Sequence, residues 1–468
     1  MVCALGKRFT DIRISCDRID VEGKGAGMKI TFVGGGSLVW GTMLLTDLAL
    51  SRPLRGATIV LQDVDQAALD LMAGMARKIS EQAGAGFRIE ATTDLVAAVS
   101  GARFVIDSVG IGGLEAMRAD LEIPARYGVA QPVGCNVGPG GIIRALRHIP
   151  HILRVCRTME TACPDAWLLI LTNPLTQLTR AATRESGIKT IGLCHEMLHS
   201  RYRIAQGLGV APESLWFRAG GINHLPWITE MRIGDQDGFT FLRKWLAKHG
   251  ALRYAKEGLL NTCDSVFEDR HAVKFSLFEA YGVLAGGGDR HVAEFYPHFI
   301  RRETNWGLDY GVELTTVEHR LERHARERNR LLHCLRGEEP LPIEHSIEEV
   351  AELVAALSGG PAGRFIVNLP NQGQVPNLPT GAVVECYAGI DGWGVHPEFI
   401  GPLPHGPAEV CLSHLAEQEL TVDAGIRGDR HTALQALLMD PAIQTWSDAR
   451  PMLEEMLKAT AAYLPQFR

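Results

Sequence analysis

Six short apolar runs alternating with helical stretches restrict this chain more than any other feature of it. They are Lys29-Ile-Thr-Phe-Val33, Thr58-Ile-Val-Leu-Gln62, Arg88-Ile-Glu90, Phe104-Val-Ile-Asp-Ser108, Trp167-Leu-Leu-Ile-Leu171 and Thr190-Ile-Gly-Leu193. Helical patterns fall between them, at Gln66 to Ala83, Leu95 to Ala98, and from Val137-Gly-Pro-Gly-Gly141 to roughly Cys163, with a further one from Ser200. Strands alternating with helices predict an α/β fold with a doubly wound parallel sheet. Such sheets bind ligands beyond the carboxyl ends of their strands.

The residues at those ends carry chemistry. Gly34-Gly-Gly-Ser37 follows the first run, with Val39 where a dinucleotide fingerprint has its third glycine. Glycines permit a tight turn and close approach to a pyrophosphate, and the next helix offers its amino end to the anion. Gly34, Gly36 and Ser37 are therefore candidate cofactor contacts, although a simple tight turn has the same letters. Asp63 ends the second run, at the place of a ribose-binding carboxylate. Asp65 is close by and suits a helix cap. Gly110 follows the fourth run, in a position to back a nicotinamide ribose.

The fifth run ends in Thr172-Asn173-Pro174 and the sixth in Cys194-His195-Glu196. A second polar knot, Gly220-Gly-Ile-Asn223-His224, comes thirty residues later. A soft thiolate and an imidazole make half of a transition-metal site. A buried thiol and a satisfied core histidine would read the same. Asp-Arg-His recurs at 269–271, 289–291 and 429–431, and only the second copy sits in a longer polar and aromatic context.

After about Gly209 the alternation breaks. Phe239 to Asn261 and Val312 to Arg336 read as charged amphipathic helices. Gly359 to Pro407 reads as long loops with short strands, and Ala433 to Leu464 as helical. The expected layout is a Rossmann-type domain over 28–208 and an α+β domain over 209–468, laid on the sheet's carboxyl edge. Residues 1–27 are expected to be a disordered tail or a misassigned start upstream of Met28. Net charge is −7 with both signs mixed, and no basic stripe appears, which argues against nucleic acid. No apolar run approaches membrane-spanning length. Ten cysteines without C-x-x-C spacing fit a reducing cytoplasm.

Together these motifs resemble the family 4 glycoside hydrolases, the NAD- and divalent-metal-dependent glycosidases. The resemblance rests on Gly34-Gly-Gly-Ser37, Gly112-Gly-Leu-Glu-Ala-Met-Arg118, Ile123-Pro-Ala-Arg-Tyr-Gly128 and Gly138-Pro-Gly-Gly with Ala145-Leu-Arg-His-Ile-Pro150. Thr172-Asn-Pro174, Cys194-His-Glu196, Gly221-Ile-Asn-His224 and Asn377-Leu-Pro379 continue it. It implies a Rossmann domain joined to a lactate/malate dehydrogenase-like α+β domain, in a homodimer or homotetramer. It implies NAD as cofactor and a divalent ion, usually manganese, held by Cys194 and His224. The implied reaction oxidises carbon 3 of the sugar, removes the carbon 2 proton, eliminates the aglycone, adds water and returns the hydride. This is a named exception to the two-carboxylate rule.

By position, Asp289 resembles the base of the non-phosphorylated α-glycosidase branch, with Tyr281 as the alternative. Asn173 and Asn223 match substrate-contacting amides, and His195, Glu196 and Arg290 join them as expected substrate residues. Cys-His-Glu resembles the α-glucosidase type, so an α-glucoside is the expected substrate, with a uronide or galactoside as the alternative. Two positions depart from the pattern. Cys135 replaces an aspartate, which leaves the proton donor open among Glu196, His195 and a metal-bound water. Gly110 replaces an arginine. A plain sugar or hydroxy-acid oxidoreductase and a non-catalytic nucleotide-binding relative are the competing readings; retention of Cys194 and His224 favours the glycosidase.

Overall fold

The computed structural model describes residues 25–250 and 269–467. Residues 1–24 of the expected tail and 251–261 of the expected Phe239–Asn261 helix lie outside the described residues. The first six strands are β1 (Lys29–Val33), β2 (Thr58–Gln62), β3 (Arg88–Thr92), β4 (Phe104–Asp107), β5 (Trp167–Ile170) and β6 (Lys189–Gly192). All pair in parallel, in the spatial order β3-β2-β1-β4-β5-β6. That is the order of a Rossmann sheet. Its chain reversal lies between β1 and β4, so the turns after Val33 and Asp107 flank one crevice. Every residue of β4 is buried, whereas β3 at the edge is partly exposed. This is the pattern of a parallel sheet covered on both faces in its middle.

Seven further strands follow: β7 (Leu215–Ile222), β8 (Leu225–Ile233), β9 (Gln236–Asp237), β10 (Leu284–Ala285), β11 (Gly363–Pro370), β12 (Val383–Asp391) and β13 (Gly394–Pro397). They do not form a separate sheet. β11 joins β6 antiparallel through the single pair Asn368 and Gly192, and the sheet continues β11-β12-β7-β8-β10. A Cβ on Gly192 would lie 2.5 Å from Thr179 Oγ1 and 3.0 Å from Asn368 Cβ. Glycine there lets the two halves meet. The second half therefore extends the sheet sideways as well as covering its end. β11 and β12, of eight and nine residues, replace the short strands expected between Gly359 and Pro407. Glycines and prolines lie at the ends of these strands and in the loops around them, and they outweigh the strand signal in composition.

Two helices position the crevice. Gly138–Ala162 packs behind β4 and β5, anchored by a fully buried pair in which Arg147 donates to both oxygens of Asp120, at 2.7 and 2.6 Å. Removing one partner of such a pair costs about 3–5 kcal/mol. Glu196–Leu208 starts four residues before the polar run that signalled it, so His195 is its N-cap residue and Glu196 lies in its first turn. Among the described residues, no helix is long and apolar enough to cross a membrane.

Candidate active site

A cavity of about 440 Å³ opens at the carboxyl ends of β1, β4, β5 and β6. Ser37, Gly110, Asn173, Cys194 and His195, all singled out in the sequence, line it. In the turn after β1, Gly34 has φ +87°, and the Gly36 N–H donates to Asp63 Oδ2 at 3.0 Å. A Cβ on Gly36 would lie 2.8 Å from both that oxygen and the Ala68 methyl. The turn thus closes on Asp63, which ends β2. Asp65 is the cap, accepting from Ala67 and Ala68 at 2.9 and 3.1 Å. Asp63 instead accepts the Gly36 amide on Oδ2 and the Asp65 amide on Oδ1, the latter at 3.1 Å.

Cys194 follows β6, while His224 sits in the turn between β7 and β8. His224 has φ +66°, a left-handed conformation uncommon for a residue with a side chain and a marker of functional turns. Its buried Nδ1 has no hydrogen-bond partner. Burial pulls its pKa down to about 4, so the ring is neutral at ordinary pH, as a metal ligand must be. Burial, then the nearby Glu385 carboxyl, push the Cys194 thiol well above its usual range, while Asn223 hydrogen-bonds it. Asn223 also donates to Glu385 Oε2 at 2.6 Å. That carboxyl, on β12, is pushed up to about 7 by burial. Glu385 was not singled out in the sequence, where it is one acidic residue inside an apolar run.

The Gly286–Gly288 segment lies against this pair. A Cβ on Gly287 would meet the His224 carbonyl oxygen at 2.1 Å. Gly288 N–H donates to Glu196 Oε1 at 2.8 Å, and Arg203 Nη1 donates to the same oxygen at 3.2 Å. Burial raises the Glu196 pKa, but the surrounding His291, Arg203, His195 and His224 together hold the carboxyl well below its usual range. The His291 ring is 4.1 Å from that of His224, centroid to centroid, and its Nε2 is 3.7 Å from Glu196 Oε2.

Asp289 is next to this knot but engaged elsewhere. Its two oxygens accept the Val273 and Lys274 amides, both at 3.1 Å, at the start of the helix Ala272–Tyr281. Burial, then the charge of Asp269, push it up to about 8. Neither Asp289 nor Tyr281 is among the residues lining the cavity. The Tyr281 ring packs on Trp227 and Tyr296 at 5.7 and 6.3 Å, inside an apolar cluster. Arg290 donates to the Pro132 carbonyl at 2.8 Å and to Thr315, bracing the loop that carries Cys135.

Two arginines that the sequence did not reveal line the cavity instead. Arg144 Nε donates to the Asn173 carbonyl at 2.9 Å, and Arg320 Nη2 donates to the Val133 carbonyl at 3.4 Å. Among the described residues neither forms an ion pair, although Asp120 acts on Arg144 and Glu294 on Arg320 through space, and the buried Arg320 Nε has no partner. With Arg290 they surround Cys135, whose thiol burial pushes upward against their charge. The aspartate expected at 135 is absent; of the acidic groups within electrostatic reach, Asp120 is taken up by Arg147, and Glu294 by the Val133 and Gly134 amides. Opposite, His195 packs on Trp40 at 4.7 Å, and burial pulls its pKa down to about 4.

Residues 29–210 match the profile of the Family 4 glycosyl hydrolases, and residues 219–443 that of the Family 4 glycosyl hydrolase C-terminal domain. An α-galacturonidase of Bacillus subtilis is 36% identical over 446 residues, covering 92% of this chain and 97% of the relative. The crystal structure of a putative glucosidase from Bacillus subtilis superposes with TM-score 0.84 at 35% identity, covering 92% and 99%. A 6-phospho-α-glucosidase from gut microorganisms, solved with NAD and Mn2+, gives TM-score 0.80 at 19% identity, covering 94% and 100%.

Proposed function

The chain belongs to the family 4 glycosyl hydrolases, and we propose that it is the member of that family that cleaves α-linked galacturonides, using NAD and a divalent transition metal. The observation that carries this reading is the pair Arg144 and Arg320. Two guanidinium groups without acidic partners, on the wall of the cavity that holds Cys194, call for an anion. A sugar carboxylate is the anion a non-phosphorylated hexoside can bring, and guanidinium recognises it in a planar, two-pronged geometry. The α-galacturonidase of Bacillus subtilis is similar to this chain over nearly its full length. Galacturonide therefore replaces the α-glucoside expected from Cys-His-Glu as the preferred substrate.

The residues fit the two helpers. Cys194 and His224, with the buried unpartnered Nδ1, would hold the metal. Gly34, Gly36, Ser37, Asp63 and Gly110 would hold NAD, which fits the close approach at Gly36. When bound, NAD supplies a hydride acceptor and donor, and the metal supplies Lewis acidity toward sugar oxygens. The chain supplies the rest. Arg144 and Arg320 hold the carboxylate and orient the ring, with Asn173 at the cavity wall. Asp289 takes the proton from carbon 2; its pKa near 8 suits a base working near neutrality. Glu196 and His291 fix the segment that carries Asp289. The proposal includes a homodimer or homotetramer working in the cytoplasm.

The test is a panel of nitrophenyl α-galacturonide, α-galactoside and α-glucoside assayed with catalytic NAD and Mn2+. Galacturonide is expected to have the highest kcat/KM. A preference for a neutral hexoside overturns the substrate assignment. Stoichiometric NADH accumulation would instead indicate a plain oxidoreductase.

A further inference from the structure

We propose that His414, Glu417 and Asp440 form a second divalent transition-metal site, separate from Cys194 and His224 and structural in role. His414 and Glu417 lie one turn apart on the helix His405–Arg427, and Asp440 follows the helix Arg430–Met439. Their exposures are 1%, 0% and 1%, so this is an interior cluster and not a solvated acidic face. One ligand atom from each lies within 4.8 Å of the other two.

The three groups are arranged but not satisfied. His414 Nδ1 is 3.1 Å from Glu417 Oε2. Asp440 Oδ2 accepts the Gly138 N–H at 2.9 Å and Oδ1 accepts the Ala442 N–H at 2.8 Å. These bonds fix the Asp440 carboxylate and leave one lone pair on each oxygen. Glu417 Oε1 is buried without a partner; His414 Nε2 makes no hydrogen bond of normal geometry, though the Phe295 backbone is within reach of the ring. Among the described residues no lysine or arginine pairs with any of the three. Burial pushes Glu417 well above its usual range, and burial and Glu417 push Asp440 up to about 6. That is how carboxyl groups behave when no cation compensates their charge.

A divalent ion would supply the missing charge. Ligand atoms roughly 2.1 Å from an ion in a tetrahedral site stand about 3.4 Å apart. From separations within 4.8 Å, closing the cluster onto an ion needs side-chain shifts of up to about an ångström. One imidazole and two carboxylates suit Zn2+ or Mn2+. A cavity of about 20 Å³, lined by Gly138, Ala442 and Glu294, adjoins the amides that hold Asp440. It has room for about one water, and none of the three proposed ligands lines it. Bound there, an ion would tie the helix His405–Arg427 to the amino end of the helix Gly138–Ala162, which carries Arg144.

The experiment uses the full chain, loaded separately with Zn2+ and Mn2+, desalted, and analysed for metal by atomic emission. Cys194→Ser is expected to keep about one equivalent, and its Tm to rise when Zn2+ or Mn2+ is added back after chelation. Cys194→Ser/Glu417→Gln is expected to keep none and to show no such rise. A Cys194→Ser protein that binds neither metal and shows no rise overturns the proposal, leaving the cluster to water. The Cys194→Ser readout does not depend on any cluster variant folding. Metal retained equally in the double variant also overturns it.

Discussion

Gly288 donates its amide hydrogen to Glu196 across 2.8 Å, joining segments ninety-two residues apart in the chain. Glu196 is two residues after Cys194, and Gly288 is one before Asp289. The bond therefore sets the proposed base in register with the proposed metal ligand. A Cβ at 288 would lie 2.4 Å from the accepting oxygen and 3.1 Å from Arg203 Nη1. No side chain fits while the bond holds.

Gly288→Ala should therefore displace the Glu196 carboxylate and move the Asp289 segment. Displacements of about 1 Å near reacting atoms cost on the order of 10²-fold in rate. Steady-state kinetics should show a fall in kcat of that order with a small change in Tm. Unchanged kcat would mean that the register of these two segments is irrelevant to turnover.

Arg320→Met should remove one half of the proposed carboxylate clamp while keeping bulk. A hydrogen bond to a charged group contributes about 1.5–3 kcal/mol, so kcat/KM for the galacturonide should fall roughly 10–150-fold. The neutral α-galactoside should lose little. A comparison of the two substrates on the same variant reads this directly, and equal losses on both would place Arg320 in folding and not in recognition.

Some of this was legible in the sequence and some was not, for physical reasons. β1, its glycine turn, Asp63 and the Cys194 strand end were readable because each signal is local: an apolar run, a turn residue, a functional side chain in succession. The alternation also carries the parallel pairing of the Rossmann half. β11 and β12 were hidden by the glycines and prolines around them. Arg320 was hidden differently. It sits in the helix Val317–Arg336 among eight other charged side chains, where the pattern reads as a solvated face, and only tertiary packing turns it into the cavity. Arg144 is likewise one more charge near the start of a helix. The capping bonds of Asp289 join positions fifteen and sixteen residues apart, which no local pattern reports.

Glu348 and Glu349 border the cavity, and burial pushes them up to about 8 and about 7. For both, the folded pKa exceeds the unfolded one, near 4.3. The folded state then binds more protons than the unfolded state between those values, so stability falls as pH rises. The neutral-carboxyl advantage is full below about pH 4.3 and is lost progressively up to the folded values. Thermal melts of the enzyme without NAD should show Tm falling from pH 5.5 to 8.5, and Glu348→Gln should flatten that slope. A slope that Glu348→Gln leaves unchanged would assign the pH dependence to other groups.

Asp289 has two roles here that one substitution can separate. As a cap it accepts the Val273 and Lys274 amides; as a base it would take the proton from carbon 2. Asp289→Asn keeps an oxygen for one amide, so the loss of capping should be about 0.5–2 kcal/mol, read as a modest fall in Tm. Loss of a general base costs typically 10²–10⁴-fold, so kcat of the folded enzyme should fall by that much while NAD and Mn2+ still bind. A variant with lower Tm and wild-type kcat would leave the residue as a cap alone. The wild-type pH–rate profile should rise toward pH 8 as the carboxyl ionises, because a base acts deprotonated and its pKa is about 8. Hydrolysis in heavy water gives the decisive reading. A direct displacement at carbon 1 never opens the carbon 2–hydrogen bond, whereas elimination must. Once the proton on Asp289 exchanges with solvent, the released sugar should carry deuterium at carbon 2 and none at carbon 3, to which the substrate's own hydride returns. NMR of the product at several extents of reaction measures both positions. Carbon 2 fully protonated, together with no isotope effect from substrate deuterated there, would rule out elimination.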